Sequence, residues 1–237
     1  MICLKKVVRL VFLVGLSVLV VHPAVLMADE GEGEGAWPVR IRPALPYVDL
    51  SEIHDGKTIR LQRNQDVDHM VDFDFAYTSR KCPPFCIQPI KLSAGVETVG
   101  ELEIIDYLKR LGSGDSSILV IDSRTLDWLE KGMIPGAISI PWKMLHYQHA
   151  DRKKLLDIME FQFGVSKEEG NFLNFENAKT LVLYCNGNWC GQSATNIRSL
   201  LMLGYPAHKL KWYRSGMQGW KMLGFTTVTP SGEIIQE

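Results

Sequence analysis

Cys185 and Cys190 sit in the run Tyr184-Cys185-Asn186-Gly187-Asn188-Trp189-Cys190-Gly191-Gln192-Ser193. The apolar stretch Thr180–Tyr184 ahead of it reads as a buried strand, and Ser193–Leu203 after it carries a helical pattern. A cysteine at such a junction faces unpaired backbone N–H groups and the positive end of the helix dipole. That setting favours thiolate, and helix N-termini bring a cysteine pKa down to roughly 3.5–7.5. The same donors suit an anionic reactant and an anionic sulfur adduct. The competing reading is a cysteine that only packs. Two glycines, the amides of Asn186 and Asn188 and the second cysteine argue for a reactive Cys185.

A second pair, Cys82 and Cys86, encloses Pro83-Pro84-Phe85. The two prolines fix a tight, extended turn. Three readings are open: a structural disulfide, a redox partner of the Cys185 loop, or a zinc site built from Cys82, Cys86, Cys185 and Cys190. The spacings are looser than the usual zinc pairs. His146 and His149 lack a third ligand in view and read as surface or core residues rather than a metal site.

The elements that must position this chemistry alternate. Strands are expected at 118–121, 138–140, 180–184 and 210–213, and helices at 98–111, 126–131, 152–164 and 193–203. The alternation predicts an α/β fold with a parallel sheet flanked by helices. Ligands of such sheets bind at the carboxyl ends of the strands. Asp122 and Cys185 both fall at such ends, so one cleft could join them. Asp122 and Arg124 are also explained as an ion pair or cap that frames the loop, the reading favoured here because the chemistry needs no carboxylate.

These residues resemble the rhodanese-like domain family. Ile118-Leu119-Val120-Ile121-Asp122-Ser123-Arg124 and Gly132-Met133-Ile134-Pro135-Gly136-Ala137 are similar to its first signature, and the Cys185 loop to its second. Gly204-Tyr205 and Trp212-Tyr213-Arg214-Ser215-Gly216-Met217-Gln218-Gly219-Trp220 resemble its closing pattern. The likeness runs from about Thr98 to about Phe225. It departs from the family where Cys190 holds the usual arginine position, Gly191 the usual serine and Asn188 the usual loop glycine. Gly187 comes one place early, giving Cys-x-Gly-x-x-Cys, and Met133 replaces a turn histidine. Loss of the arginine removes a guanidinium able to grip thiosulfate in bidentate fashion.

The resemblance implies a sulfurtransferase that carries sulfur as a Cys185 persulfide. Backbone N–H groups from Asn186 to Gly191 are expected to stabilise the persulfide anion. Asn188 and Trp189 are expected to shape the loop mouth, with Ser193 in support. The implied partners are a small sulfur-containing donor and a thiol or cyanide-type acceptor, with no cofactor or metal. Cys190 is either a resolving thiol that releases sulfide and closes a disulfide, or core filling. The resolving role would call for a periplasmic reductant. Two other classes stay open: a thiol–disulfide protein using both pairs, and a non-catalytic binding module.

Residues 1–28 have the layout of a signal peptide: Lys5, Lys6 and Arg9, the apolar run Leu10–Val21, Pro23, and small residues near Ala28. Leu26 stands where cleavage prefers a small side chain. An uncleaved anchor is the alternative, but the apolar run is short of the ~20 residues a span needs. Export to the periplasm is the expectation, with membrane attachment only if the leader stays. Cys3 would leave with it. The net charge is −1 and no basic stripe interleaves with aromatics, which argues against nucleic acid. The expected organisation is an extension over 29–94, opening on a Glu-Gly leader and containing a strand at Thr58–Arg63 and an acidic stretch from Asp66 to Asp74. A rhodanese-like domain over 95–230 and a tail over 231–237 follow.

Overall fold

The computed structural model describes residues 37–54 and 56–235. The expected signal peptide and the Glu-Gly leader lie outside them. The chain opens with strands β1 (Tyr47–His54) and β2 (Lys57–Gln62) and the short helix α1 (Phe73–Ala76). Then come β3 (Glu97–Val99), helix α2 (Glu101–Gly112), β4 (Ile118–Asp122), a 3-10 turn over Leu126–Lys131, and β5 (Ile138–Ser139). Helices α3 (Trp142–Leu145) and α4 (Arg152–Phe161) precede the hairpin β6 (Ser166–Lys167) and β7 (Leu173–Asn174). The remainder is β8 (Thr180–Tyr184), α5 (Gln192–Met202), β9 (Leu210–Tyr213), α6 (Gly216–Met222) and the pair β10 (Thr227–Val228) and β11 (Ile234–Ile235).

Five strands form one parallel sheet in the order β3-β9-β8-β4-β5. The central strand β8 is apolar on both faces, as a doubly covered parallel strand must be. Its side chains alternate: Val182 and Tyr184 enter one core with Ile104, Leu108, Met217 and Trp220. Leu181 and Leu183 enter the other with Leu155, Ile158, Ile197 and Leu200. One helical layer thus comes from α2 and α6, the opposite one from α4 and α5. β4 and β8 pair so that Asp122 lies opposite Tyr184, which brings Ser123 beside Cys185 at the carboxyl edge.

Three local expectations are corrected. The helix placed over 98–111 starts at Glu101, because Glu97–Val99 form the edge strand beside β9. The Gly100 N–H is taken by the Glu103 carboxylate at 2.9 Å, which marks the helix start. The segment 126–131 is 3-10 rather than α-helical. Part of the segment read as a tail, Ile234–Ile235, pairs with β10.

The extension is part of the main core. In the antiparallel β1–β2 hairpin, Val48, Leu50, Ile59 and Leu61 point to one side and are buried against α2 and β4. The opposite side carries an exposed Arg60–Asp49 ion pair. No helix among the described residues is long and apolar enough to cross a membrane.

Candidate active site

Cys185 follows the last residue of β8 and is only 2% exposed. Its loop is held from behind by the start of α6. Met217 N donates to Cys185 O and Gln218 N to Asn186 O, both at 2.9 Å. Gly216 makes this approach possible: its φ is +55°, and a Cβ there would collide with the Cys185 carbonyl and stand 2.8 Å from Gly187 N.

In front of the sulfur, Ser193 Oγ donates to Cys185 Sγ at 3.2 Å, and Trp212 Nε1 donates to Ser193 Oγ at 3.1 Å. Ser193 is in the first turn of α5, where backbone N–H groups have no partner within the helix. Burial pushes the Cys185 thiol up. Hydrogen bonds from the Cys190 thiol, the Ser193 hydroxyl, and the Ser193 and Gly187 N–H groups outweigh it and bring the pKa down to about 7. As a neutral thiol, Cys185 donates to the Cys190 carbonyl at 3.2 Å.

Cys190 behaves oppositely. Burial and the neighbouring Cys185 push its pKa well above the ordinary thiol value, so it stays protonated and acts as donor. The loop N–H groups act on both sulfurs: those of Gly187 and Ser193 lower the Cys185 pKa, and those of Gln192 and Asn186 partly offset the rise at Cys190. The Cys190 N–H is taken by Gly187 O at 2.9 Å. Of the Asn186–Gly191 N–H groups expected to hold the sulfur, that of Cys190 is therefore already engaged.

The other expected residues fall around this centre. Gly187 is buried, Asn188 is exposed, and Asn186 is buried with Oδ1 unpaired. Asp122 and Arg124 form a fully buried bidentate ion pair, and Arg124 Nη2 also donates to Gly132 O at 2.6 Å. They frame the strand end and make no hydrogen bond to Cys185. Cys82 and Cys86 are joined as a disulfide, with Cα atoms 4.7 Å apart and both proline peptides cis. A four-thiolate zinc set therefore does not assemble, and among the described residues no three metal-ligating side chains cluster. His146 is buried, with its ring centroid 4.4 Å from that of exposed His149.

The extension covers the loop. Gln88 N donates to Asn188 O at 2.9 Å, and Arg214 fastens Gln88 O from Nη2 at 2.7 Å. Phe85 meets Trp189 edge-on at 5.4 Å, and the Arg80 guanidinium lies 3.9 Å above the Trp189 ring. Gln218 bridges the two segments, accepting from Trp189 Nε1 and donating to Phe75 O, both at 2.8 Å. Sequence reasoning missed Arg80, Phe85, Gln88 and Gln218 as site residues. Arg80, Phe85 and Gln88 meet loop residues about a hundred positions away, and Gln218 meets Trp189 at a separation of 29 and Phe75 at 143, so no local pattern records them.

Residues 105–223 match the family model of the rhodanese-like domain. The chain belongs to this family. Three solved structures show similarity at low identity. A Bacillus halodurans protein is 20% identical, over 57% of this chain and 79% of that one, with TM-score 0.39. An As-Sb reductase from Leishmania major is 17% identical, over 59% and 92%, with TM-score 0.39. A thiosulfate sulfurtransferase from Pseudomonas aeruginosa is 18% identical, over 60% of this chain and 22% of that one, with TM-score 0.38. The curated proteins contain no match. The rhodanese-like domain of this chain thus carries two interleaved thiols in its loop and a disulfide-bearing cover drawn from outside the matched segment.

Proposed function

We propose that this rhodanese-like protein is a sulfurtransferase that moves sulfane sulfur through a persulfide on Cys185. The observation that carries the reading is the hydrogen-bonded Cys185 sulfur at the start of α5, with a pKa lowered to about 7. A large fraction is then thiolate near neutral pH, the form that attacks sulfur. With thiosulfate as donor, Cys185 Sγ bonds to the outer sulfur, the donor S–S bond breaks, and sulfite leaves with the electron pair. The N–H groups of Gly187 and Ser193 and the Ser193 hydroxyl are placed to hold the resulting negative sulfur. An acceptor thiolate or cyanide attacks the outer sulfur of the persulfide, and Cys185 returns as thiolate.

Cys190 fits the resolving role in this scheme because it is buried in one cluster with Cys185, its thiol donating to Gln192 Oε1 at 3.6 Å. After losing that proton it attacks Cys185 Sγ of the persulfide, closes a Cys185–Cys190 disulfide and expels hydrosulfide. A dithiol reductant must then reopen the pair. The reading extends to an exported protein in the periplasm. The Cys82–Cys86 disulfide supports that compartment, since such bonds persist in oxidising surroundings.

Steady-state transfer from thiosulfate to cyanide, followed as thiocyanate, tests the proposal. Activity that Cys185→Ser abolishes is the expected result. Absence of transfer from thiosulfate and polysulfide alike, in the folded reduced protein, would remove the sulfurtransferase reading.

A further inference from the structure

Arg80 is a guanidinium without an acid. Among the described residues no carboxylate lies within ion-pair distance of it: Asp74 pairs with Lys131 and Asp72 with Lys221. Its Nη2 donates to the Asp74 carbonyl, whereas its Nε is buried with no hydrogen-bond partner. A buried N–H left without a hydrogen-bond partner is destabilising. Such an arrangement calls for a ligand that accepts hydrogen bonds and carries negative charge.

Its position indicates which ligand. The guanidinium lies 3.9 Å from the Trp189 ring centroid, with the Phe85 ring at 5.9 Å. Trp189 packs in one cluster with Cys185 and Cys190. Arg80 lies two residues before the Cys82–Cys86 disulfide, and Gln88, two residues after it, donates its N–H to Asn188 O at 2.9 Å. A cation is therefore presented over the same loop that carries Cys185 and Cys190.

We propose that Arg80 is the anion-recognition residue of the Cys185 site and binds the oxyanion end of a sulfur donor of the thiosulfate class. The assignment rests on Cys185 as sulfur acceptor for its physiological meaning, but not for its test. Arg80 places a positive charge from the extension over the loop residue Trp189. It also makes the extension a working part of the site.

The test compares alkylation of Cys185 by anionic iodoacetate and neutral iodoacetamide, read on the Cys185 peptide by mass spectrometry. It uses the full reading frame with the Cys82–Cys86 disulfide intact. In Arg80→Met, which keeps the packed stem without the charge, the iodoacetate-to-iodoacetamide rate ratio should fall at least about fivefold at low salt. Arg80→Lys should retain most of the ratio. In the unaltered protein, added salt should slow iodoacetate and leave iodoacetamide unchanged. An unchanged ratio in Arg80→Met, or equal acceleration of both reagents, would overturn the assignment by showing that Arg80 only covers the loop. A ratio that falls as expected in a protein forming no persulfide would uphold the anion site and reject the sulfurtransferase reading instead. Where transfer occurs, the KM for thiosulfate should rise about tenfold in Arg80→Met with kcat nearly unchanged, and an unaltered KM would also overturn the assignment.

Discussion

Trp212 Nε1 donates a hydrogen bond to Ser193 Oγ across 3.1 Å. An indole N–H can only donate, so it occupies a lone pair of the hydroxyl and leaves the Ser193 proton free to point elsewhere. That proton points at Cys185 Sγ, 3.2 Å away. A β9 side chain thereby sets the polarity of a hydrogen bond made in the first turn of α5, and its effect is felt on the sulfur. Trp212 is a positioning residue for Cys185.

Removing the hydroxyl should raise the Cys185 pKa. A hydrogen bond to a charged group contributes about 1.5–3 kcal/mol, which corresponds to about one to two pKa units. Ser193→Ala should shift the midpoint of the Cys185 alkylation profile upward by that amount. Trp212→Phe should move it in the same direction by less. Rates of iodoacetamide modification across pH 5–10 check both.

The two thiols also set a pH dependence of stability. The Cys185 pKa is depressed in the folded protein to about 7, so between that value and the ordinary thiol range the unfolded chain binds the extra proton. Stability from this group is present at high pH and is lost as pH falls through about 7. Cys190 is raised, so its contribution has the opposite sign and is lost above the ordinary thiol range. The reduced protein should gain stability from this pair between about pH 7 and 8.5. Urea unfolding of the reduced protein and of Cys185→Ser should show that increment only in the former.

Gly216→Ala should damage the site from behind. The added Cβ collides with the Cys185 carbonyl at a φ of +55°, so either the loop or α6 must move. A cost of about 2–4 kcal/mol is expected, with a melting temperature lower by roughly 5–15 °C. Cys185 should also lose its enhanced reactivity near neutral pH, which the alkylation profile would show.

Breaking the buried Asp122–Arg124 pair should be a stability lesion before it is a catalytic one. Arg124→Met leaves the Asp122 carboxylate buried without its partner, at a cost of about 3–5 kcal/mol. Denaturant titration measures it. If the variant unfolds as readily as the parent protein, the framing role assigned to this pair is wrong.

How much of this could be read in the chain follows from the range of the interactions. The parallel sheet was legible because β4, β8 and β9 are apolar runs at strand ends that carry family signatures. The placement of Cys185 followed from the same strand-to-helix junction. Edge strand β3 was not legible: its Glu97-Thr98-Val99 merge with the pattern of α2, and only pairing with β9 separates them. The roles of Arg80, Phe85 and Gln88 were out of reach as well, since each is defined by a contact with a loop far along the sequence. The loss of loop charge read from Cys190 was an expectation drawn from the loop alone, and Arg80, about a hundred positions earlier, lay outside its reach.

A persulfide on Cys185 can be weighed. The protein, with Cys185 and Cys190 reduced, is exposed to thiosulfate, alkylated and digested, and the Cys185 peptide is weighed beside that of Cys190→Ser. Cys185 should carry one added sulfur in both proteins, discharged by cyanide, with a Cys185–Cys190 disulfide accumulating only where Cys190 is present. A Cys185 that alkylates readily yet never carries the extra sulfur would contradict it.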